Sequence, residues 1–143
     1  ANKANNWQMT RPQSLWGMHV ENLPNFYLMI GPQSLNPVTN VTLLCEEQGK
    51  YIANLVARMR QEGAHEVEPR AEAVADWTAR CNASAEGKVW LRCNNWYMKS
   101  TKSDVEAGRE RSQGMWMETY ETYLQHLLGG AGGDQDTLLR FRA

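Results

Sequence analysis

Residues 25–48 of the chain read NFYLMIGPQSLNPVTNVTLLCEEQ, in which three local patterns follow one another. The apolar run at 25–30 lies between turn residues and is rich in aromatic and branched side chains, which predicts a short buried strand of the kind found in parallel sheets. Two prolines and several Asn, Ser and Thr residues at 31–40 predict a loop. A helical repeat of apolar residues follows at once, so the stretch predicts a strand, a loop and a helix in that order.

The helix is expected to cover about 41–60. Asn40 or Thr39 is expected to cap its amino end, because such side chains accept hydrogen bonds from the first N–H groups of a helix. Gly63 is expected to end it. The Glu46-Glu47 pair is interpreted as favourable to the helix dipole rather than as an acid/base pair, because adjacent helical positions point in different directions.

Apolar spacing in the rest of the chain predicts two shorter helices, at 69–85 and 115–128, and a terminal strand at 137–141. The charged, weakly patterned stretch 99–113 is expected to be a surface excursion. The positions expected to face inward on the first of these helices are Ala71, Val74, Ala75, Trp77 and Thr78. Those on the second are Trp116, Tyr120, Tyr123 and Leu127.

The charge balance argues against several classes of partner. The 143 residues include 15 Lys and Arg against 16 Asp and Glu, a net charge of −1. No basic surface for a phosphate backbone is therefore expected, and with it no nucleic-acid partner. No window approaches the ~20 consecutive apolar residues that a membrane-spanning helix needs, so no membrane span is expected.

The reactive side chains form no recognised motif. Three cysteines without C-x-x-C spacing predict neither a disulfide framework nor a zinc site, so no metal is expected. Buried free thiols suit a reducing compartment and the amino end shows no apolar signal region, so a cytoplasmic location is expected. The Ser, His and Cys residues match no nucleophile motif, so no catalytic residue is expected in this chain.

Two features leave the function open on residues alone. The predicted strand, loop and helix start at 30–41 would present N–H groups and a positive dipole to an anionic or electron-rich ligand, but an ordinary connection has the same spacing. Trp96 follows two asparagines in a predicted loop, where its indole N–H can donate while the ring stacks. Packing in the core explains Trp96 equally well.

A series of short motifs, taken together, resembles one family. The motifs are LPNFYLM at 23–29, GPQS at 31–34, TN at 39–40, CEEQ at 45–48, YI at 51–52 and NWYM at 95–98. Their order and spacing resemble the C-terminal part of flavin-dependent Baeyer–Villiger monooxygenases, and the resemblance covers nearly the whole chain.

The resemblance implies an α/β fold over 1–143, namely the C-terminal part of a Rossmann-like FAD-binding domain with a strand, a loop, a long helix and further helices. It does not imply a complete two-dinucleotide-domain enzyme, because the family's G-x-G-x-x-G loops are absent from this sequence. The missing N-terminal flavin- and NADP-binding part is therefore an expected partner, in the same polypeptide or in a second chain. The chain alone is expected to be inactive.

The resemblance also implies the reaction and the residues around it. The family uses FAD and NADPH to insert one oxygen atom of O2 next to a ketone carbonyl, giving an ester or lactone. By the resemblance, Thr39, Asn40 and Val41 contact the pyrimidine edge of the flavin. Asn36, Pro37 and Val38 contact the ketone and belong to a substrate loop at 33–40. Trp96 contacts NADP and belongs to a nicotinamide-side loop near 94–104.

Two alternatives stay open. One is a related flavin monooxygenase that oxidises nitrogen or sulfur, whose loop is expected to differ at 36–40. The other is a non-catalytic α/β interaction module. Flavin that co-purifies when a second chain is present would separate an enzyme from such a module.

Overall fold

The structure is a computed structural model that describes residues 13–35, 39–89, 98–99, 112–129 and 135–143. In chain order the elements are α1 (Val41–Glu62), β1 (Glu66–Pro69), α2 (Ala71–Ser84), β2 (Met98–Lys99), β3 (Ser112–Gln113), α3 (Tyr120–Gly129), α4 (Gln135–Leu138) and β4 (Leu139–Arg142). Strand β1 pairs antiparallel with β4, and β2 pairs antiparallel with β3. The predicted α/β class is confirmed as a mixed α/β fold.

Helix α1 has both of its predicted ends. The side-chain oxygen of Asn40 accepts hydrogen bonds from the N–H groups of Thr42 at 3.0 Å and Leu43 at 3.4 Å. Gly63 follows the last turn with a left-handed φ of 69°, and its N–H donates to the carbonyl of Met59. Of the two candidate caps, Asn40 is therefore the one used, and the C-terminal glycine supplies the conformation that other residues avoid.

The predicted strand at 25–30 is wrong. Tyr27 forms only an isolated bridge with His19. Asn25 and Ile30 have left-handed φ values of 57° and 54°, which a strand does not contain. The apolar run indicated burial, yet the Phe26 side chain is 45% exposed, so neither the conformation nor the burial followed from composition.

Helix α2 was predicted correctly, but part of its inward face was not. Val74, Trp77 and Thr78 are buried as expected, whereas Ala71 and Ala75 are exposed. Ala73 is buried in their place. Alanine side chains are too small to decide which side of the helix faces the core. The larger side chains of Val74 and Trp77 decide it.

The carboxyl-terminal elements begin later than predicted. Helix α3 starts at Tyr120 rather than at 115, so Trp116 lies before it, and its N–H donates to the carbonyl of Ser34 at 2.7 Å. The residues before β4 form the short helix α4 instead of the start of a strand. β4 pairs with β1 in a register that places Arg142 opposite Glu66 and Leu139 opposite Pro69.

The core is one cluster shared by α1, α2, α3 and the segment 13–35. Its members include Leu15, Met18, Leu44, Leu55, Val67, Trp77, Trp116, Tyr123, Leu127 and Leu139. The rings of Trp77 and Trp116 stack with centroids 5.0 Å apart, which confirms both as core residues. Cys81 is buried as expected, whereas Cys45 is only half-buried.

A histidine lies inside this core. The His19 side chain is 1% exposed, and its Nε2 lies 3.0 Å from the hydroxyl oxygen of Tyr51. The rings of Trp16, Tyr27 and Tyr51 surround it edge-on. Burial lowers the pKa of His19 from 6.5 to about 3, because the charged imidazolium would lose its hydration.

This burial makes folding sensitive to acid. In the unfolded chain His19 takes up a proton below pH 6.5, whereas in the native chain it does so only near pH 3. The free energy of unfolding that this difference contributes is therefore fully present above pH 6.5 and decreases as the pH falls. We expect His19 to account for a loss of about 2 kcal/mol between pH 7.5 and pH 5. His19→Gln removes this contribution, which urea unfolding at the two pH values measures.

The matched control is His65→Gln, because His65 is exposed. Its acid dependence is expected to equal that of the wild type. The pKa of the half-buried His126 is also lowered by burial, so His126 adds a further loss of stability at low pH. Both variants retain His126 and therefore this loss. Equal acid dependence in His19→Gln and wild type would contradict the prediction.

Candidate functional site

The structure brings together three of the seven predicted site residues. Thr39, Asn40 and Val41 lie in sequence at the amino end of α1, where Thr39 is half-buried and the other two are exposed. The predicted substrate-contacting residues 36–38 lie outside the described residues, and so does Trp96.

The amino end of α1 suits a planar, electron-rich group. The first four N–H groups of a helix lack partners within it, and Asn40 satisfies two of them. The first turn carries no acidic residue to offset the positive end of the dipole. Val41 is 50% exposed and Leu43 is 40% exposed, so an apolar surface lies beside the dipole. These residues fit the electron-rich edge of a flavin.

The Glu46-Glu47 pair lies one turn further along and has a different partner. Lys50 Nζ lies 2.9 Å from Glu46 Oε1 and 3.0 Å from Glu47 Oε1. The interpretation through the helix dipole is therefore wrong, because the dipole acts mainly on charges in the first turn. An exposed ion pair of this kind contributes little to stability.

Gln33 anchors the start of the predicted substrate loop in the core. Its side-chain oxygen accepts from the N–H of Ser14 at 3.0 Å, and its Nε2 donates to Thr78 Oγ1 at 3.1 Å. Its carbonyl accepts from Trp77 Nε1 at 3.0 Å. The side chain is fully buried, so Gln33 fixes the loop and does not line a pocket.

Gln48 is a second buried carboxamide, on α1. Its Oε1 accepts from the N–H of Ile30 at 3.0 Å. Its Nε2 lies 2.8 Å from the hydroxyl oxygen of Tyr123 and 3.3 Å from Ser34 Oγ. The Tyr123 hydroxyl donates in turn to the carbonyl of Trp16 at 2.6 Å.

Sequence reasoning missed both glutamines. Gln33 stood in a loop motif, where a polar residue is expected to face water. Gln48 left a signal that was not used, because it lies on the buried face of α1 with Leu44, Tyr51 and Leu55. A lone amide on such a face predicts a buried hydrogen-bond network.

Two glycines hold the segments of this site in close contact. The N–H of Gly31 donates to the carbonyl of Gly17 at 2.8 Å. A Cβ on Gly31 would lie 2.6 Å from that carbonyl oxygen, and one on Gly17 would lie 2.3 Å from the Cβ of Ser34. Only glycine allows this approach of the two backbones.

The same region concentrates unusual backbone conformations. Among the described residues, the non-glycine positions with positive φ are Trp16, Asn22, Asn25, Ile30 and Gln33, all between 16 and 33. Such strained conformations persist only where several surrounding contacts hold them, and they cluster at functional sites. Hydrogen bonds of Gln33 and Gln48 constrain Gln33 itself, Ile30 and Trp16, and Asn25 is held by hydrogen bonds with His65 and Val67.

The described residues show neither a metal-binding cluster nor a membrane-spanning helix. Within 13–35, 39–89, 98–99, 112–129 and 135–143 no three His, Cys, Asp or Glu side chains are grouped to hold a metal ion. In the same part of the chain no helix is long and apolar enough to cross a membrane.

Known proteins resemble this chain in sequence. A Baeyer–Villiger monooxygenase from Pseudooceanicola batsensis is 32% identical over 85 residues, which make up 59% of this chain and 15% of that protein. No family model matches the chain.

Solved structures resemble it in fold. Cyclohexanone monooxygenase from Rhodococcus sp. Phi1, bound to NADP+, matches with a TM-score of 0.81 and 24% identity over 97% of this chain and 25% of its own. OTEMO in complex with FAD and NADP matches with a TM-score of 0.81 and 18% identity over 99% of this chain and 24% of its own.

The resemblance predicted from the motifs is confirmed. The chain is similar in sequence and in fold to one segment of Baeyer–Villiger monooxygenases. It spans about a quarter of the length of the two solved enzymes, and its matched residues span 15% of the Pseudooceanicola relative.

The close approach at Gly31 generates a stability prediction. Gly31→Ala places a methyl group against the Gly17 carbonyl, so we expect a loss of about 3 kcal/mol, at the upper end of overpacking costs. The control is Gly49→Ala, because nothing lies within 4 Å of that Cβ inside α1. It is expected to stabilise by about 0.5–1 kcal/mol. Urea unfolding of both variants is the measurement, and equal effects would refute the close approach.

Proposed function

We propose that this chain is the C-terminal part of an FAD- and NADPH-dependent Baeyer–Villiger monooxygenase that inserts one oxygen atom of O2 next to a ketone carbonyl to give an ester or lactone. One observation carries the proposal. The capped, acid-free amino end of α1 adjoins a strained segment held by Gln33 and Gln48, within a chain that resembles these enzymes over almost its whole length.

In this proposal FAD supplies the redox chemistry when bound, and the chain supplies part of its surroundings. Thr39, Asn40 and Val41 contact the pyrimidine edge of the flavin. The dipole of α1 would favour an electron-rich cofactor edge held by these residues. Trp96 contacts NADPH. Support for both cofactors comes from OTEMO, which was solved with FAD and NADP.

The proposal places the ketone next to residues 36–38. The chain enters them from Leu35, whose backbone bridges Trp116, and it leaves through Asn40, which caps α1. Leu35 is buried in the core and Asn40 is fixed at the start of α1, and in this proposal Asn36, Pro37 and Val38 shape the substrate pocket between them.

The proposal requires a partner for this chain. The lengths of the relatives support a larger Rossmann-like FAD-binding domain, whose remaining part lies in the same polypeptide or in a second chain. The chain alone then binds FAD weakly and is inactive, because the sequence contains no glycine-rich pyrophosphate loop. A cytoplasmic location remains a prediction.

Turnover tests the reaction. The complete polypeptide, loaded with FAD, is supplied with NADPH, a simple cyclic ketone and ¹⁸O₂. We expect a lactone with one labelled oxygen atom and NADPH consumption that depends on the ketone. Oxidation of amine or sulfide probes without lactone would favour the nitrogen- or sulfur-oxidising alternative. A preparation that holds no flavin would favour an interaction module.

The position of the flavin is tested at Asn40. Asp and Ser both retain the helix cap, but only Asn40→Asp adds a negative charge at the helix end. We expect Asn40→Asp to lower the midpoint potential of the bound flavin, because that charge opposes the one gained on reduction. Asn40→Ser serves as the control and should keep a potential near that of the wild type. Redox titration of the complete enzyme measures both, and equal potentials would place the flavin elsewhere.

A further inference from the structure

The exposed apolar side chains of this chain are concentrated in one region. Among the described residues the large apolar side chains that remain exposed are six, and four of them lie between positions 26 and 43. Single exposed apolar residues are normal, whereas a group of them marks an interaction surface. The four are Phe26 at 45%, Met29 at 47%, Val41 at 50% and Leu43 at 40%, and the two outside the group are Val89 and Leu128.

The same region carries no charge. From position 22 to position 45 the sequence contains no Asp, Glu, Lys, Arg or His, although charged residues make up 22% of the chain. The centres of protein interfaces are depleted of charged residues, because a charge loses its hydration when a partner covers it. A face that stays in water has no such restriction. The absence of charge therefore favours a face that a partner covers.

Hydrogen bonds place the first half of this surface alongside α1. The side-chain Nδ2 of Asn25 donates to the carbonyl of His65, just past the end of the helix, at 2.8 Å. The N–H of Ile30 donates to the side chain of Gln48, in the first half of the helix, at 3.0 Å. The segment 26–29 therefore runs beside α1 from its end toward its start, where the other two exposed side chains lie.

The exposed side chains belong to a segment that is fixed in place. Tyr27 and Ile30 pack against the core, and the N–H of Leu28 donates to the carbonyl of Met18 at 2.9 Å. Phe26 and Met29 alternate with these bound positions and remain about half in water. Their exposure is therefore a property of a formed surface, with the core already complete beneath it.

The remaining part of the proposed enzyme is the partner that suits this face. The chain spans 25% of the length of the Rhodococcus cyclohexanone monooxygenase, so most of a protein of that size would lie outside it. In the proposed function the amino end of α1 contacts FAD, and the other contacts of FAD come from the remaining part. Val41 and Leu43 lie at that helix end. A partner that completes the flavin site therefore adjoins this surface.

We propose that Phe26, Met29, Val41 and Leu43 form the surface through which this chain docks on the flavin- and NADP-binding remainder of the enzyme. This inference rests on the proposed function and names the face that its partner covers. The remainder supplies a complementary apolar surface without charges at its centre. The apolar run at 25–30 is then buried by another part of the enzyme and not by its own chain.

Hydroxyl-radical labelling of the complete, FAD-free polypeptide tests the surface directly. The labelling rate of each residue is divided by its rate in the urea-unfolded protein, which removes differences in intrinsic reactivity. We expect Phe26 and Met29 to be labelled at least about 5-fold more slowly than Leu128, because the centre of an interface is fully buried. Leu128 on α3 is the matched control, since its side chain is 49% exposed and lies outside the group.

A charge placed in the surface gives a second measurement. Phe26→Asp adds a carboxylate to the docking surface, and Leu128→Asp adds one at a position of similar exposure elsewhere. We expect Phe26→Asp to weaken FAD retention by the complete polypeptide about 10-fold, as the loss of a central apolar contact does, and Leu128→Asp to leave it near the wild-type value. Should Phe26→Asp fail to fold, labelling of the wild type still decides the matter.

The outcomes separate this inference from the function on which it rests. Labelling needs neither flavin nor turnover, so protection of Phe26 and Met29 in a polypeptide that forms no lactone supports the docking surface and removes the reaction. Lactone formation with both residues labelled as fast as Leu128 overturns the docking surface alone. Protection that disappears on dilution, together with a dimer-to-monomer transition in sedimentation, assigns the surface to a second copy of the chain and also overturns the proposal.

Discussion

The structure depends on the burial of the Gln33 carboxamide. A buried amide costs several kcal/mol unless its donors and acceptors are satisfied, so its partners must arrive together. For Gln33 these partners are Ser14, Thr78 on α2 and, through its carbonyl, Trp77. The N–H of Gln33 also donates to the carbonyl of Gly114. One residue thereby connects the amino-terminal segment, α2 and the chain before α3.

Apolar packing follows from this arrangement. Trp77 donates to the Gln33 carbonyl, and its ring stacks on that of Trp116 with centroids 5.0 Å apart. Trp116 is held in turn by its hydrogen bond to Ser34. The two rings bury a large apolar area, but apolar burial alone is compatible with several ring arrangements. The hydrogen bonds restrict the rings to one of them.

How much the sequence predicted depends on the range of each interaction. Both ends of α1 follow from local chemistry, since Asn40 and Gly63 act within one turn, and they were predicted correctly. The strand at 25–30 failed because Asn25 and Ile30 take left-handed conformations, and the N–H of Ile30 donates to a distant side chain, that of Gln48, instead of to a neighbouring strand. Gln33 and Thr78 lie 45 residues apart, and no local pattern announces such a pair.

In the candidate site, too, the locally determined features were predicted and those set by distant contacts were not. The start of α1 and its cap at Asn40 were predicted and are present, and the roles of Thr39, Asn40 and Val41 toward a flavin stay predictions. The buried supports were not predicted. Gln33 lies in a loop motif, where a polar residue is expected to face water, and the signal of Gln48 on the buried face of α1 was not used. The resemblance to a monooxygenase family supplied the roles, and the structure supplied the reason why the strained segment keeps its shape.

The pairing of β1 with β4 has a consequence for the order of folding. Glu66 and Arg142 lie 76 residues apart, and the Tyr123 hydroxyl reaches a carbonyl 107 residues earlier. During synthesis β1 emerges long before the strand that completes it, while α1 can form as soon as its own residues are free. The nascent chain therefore passes through a period in which a capped helix exists beside an unpaired strand edge, and chaperones that shield such edges would act at that stage.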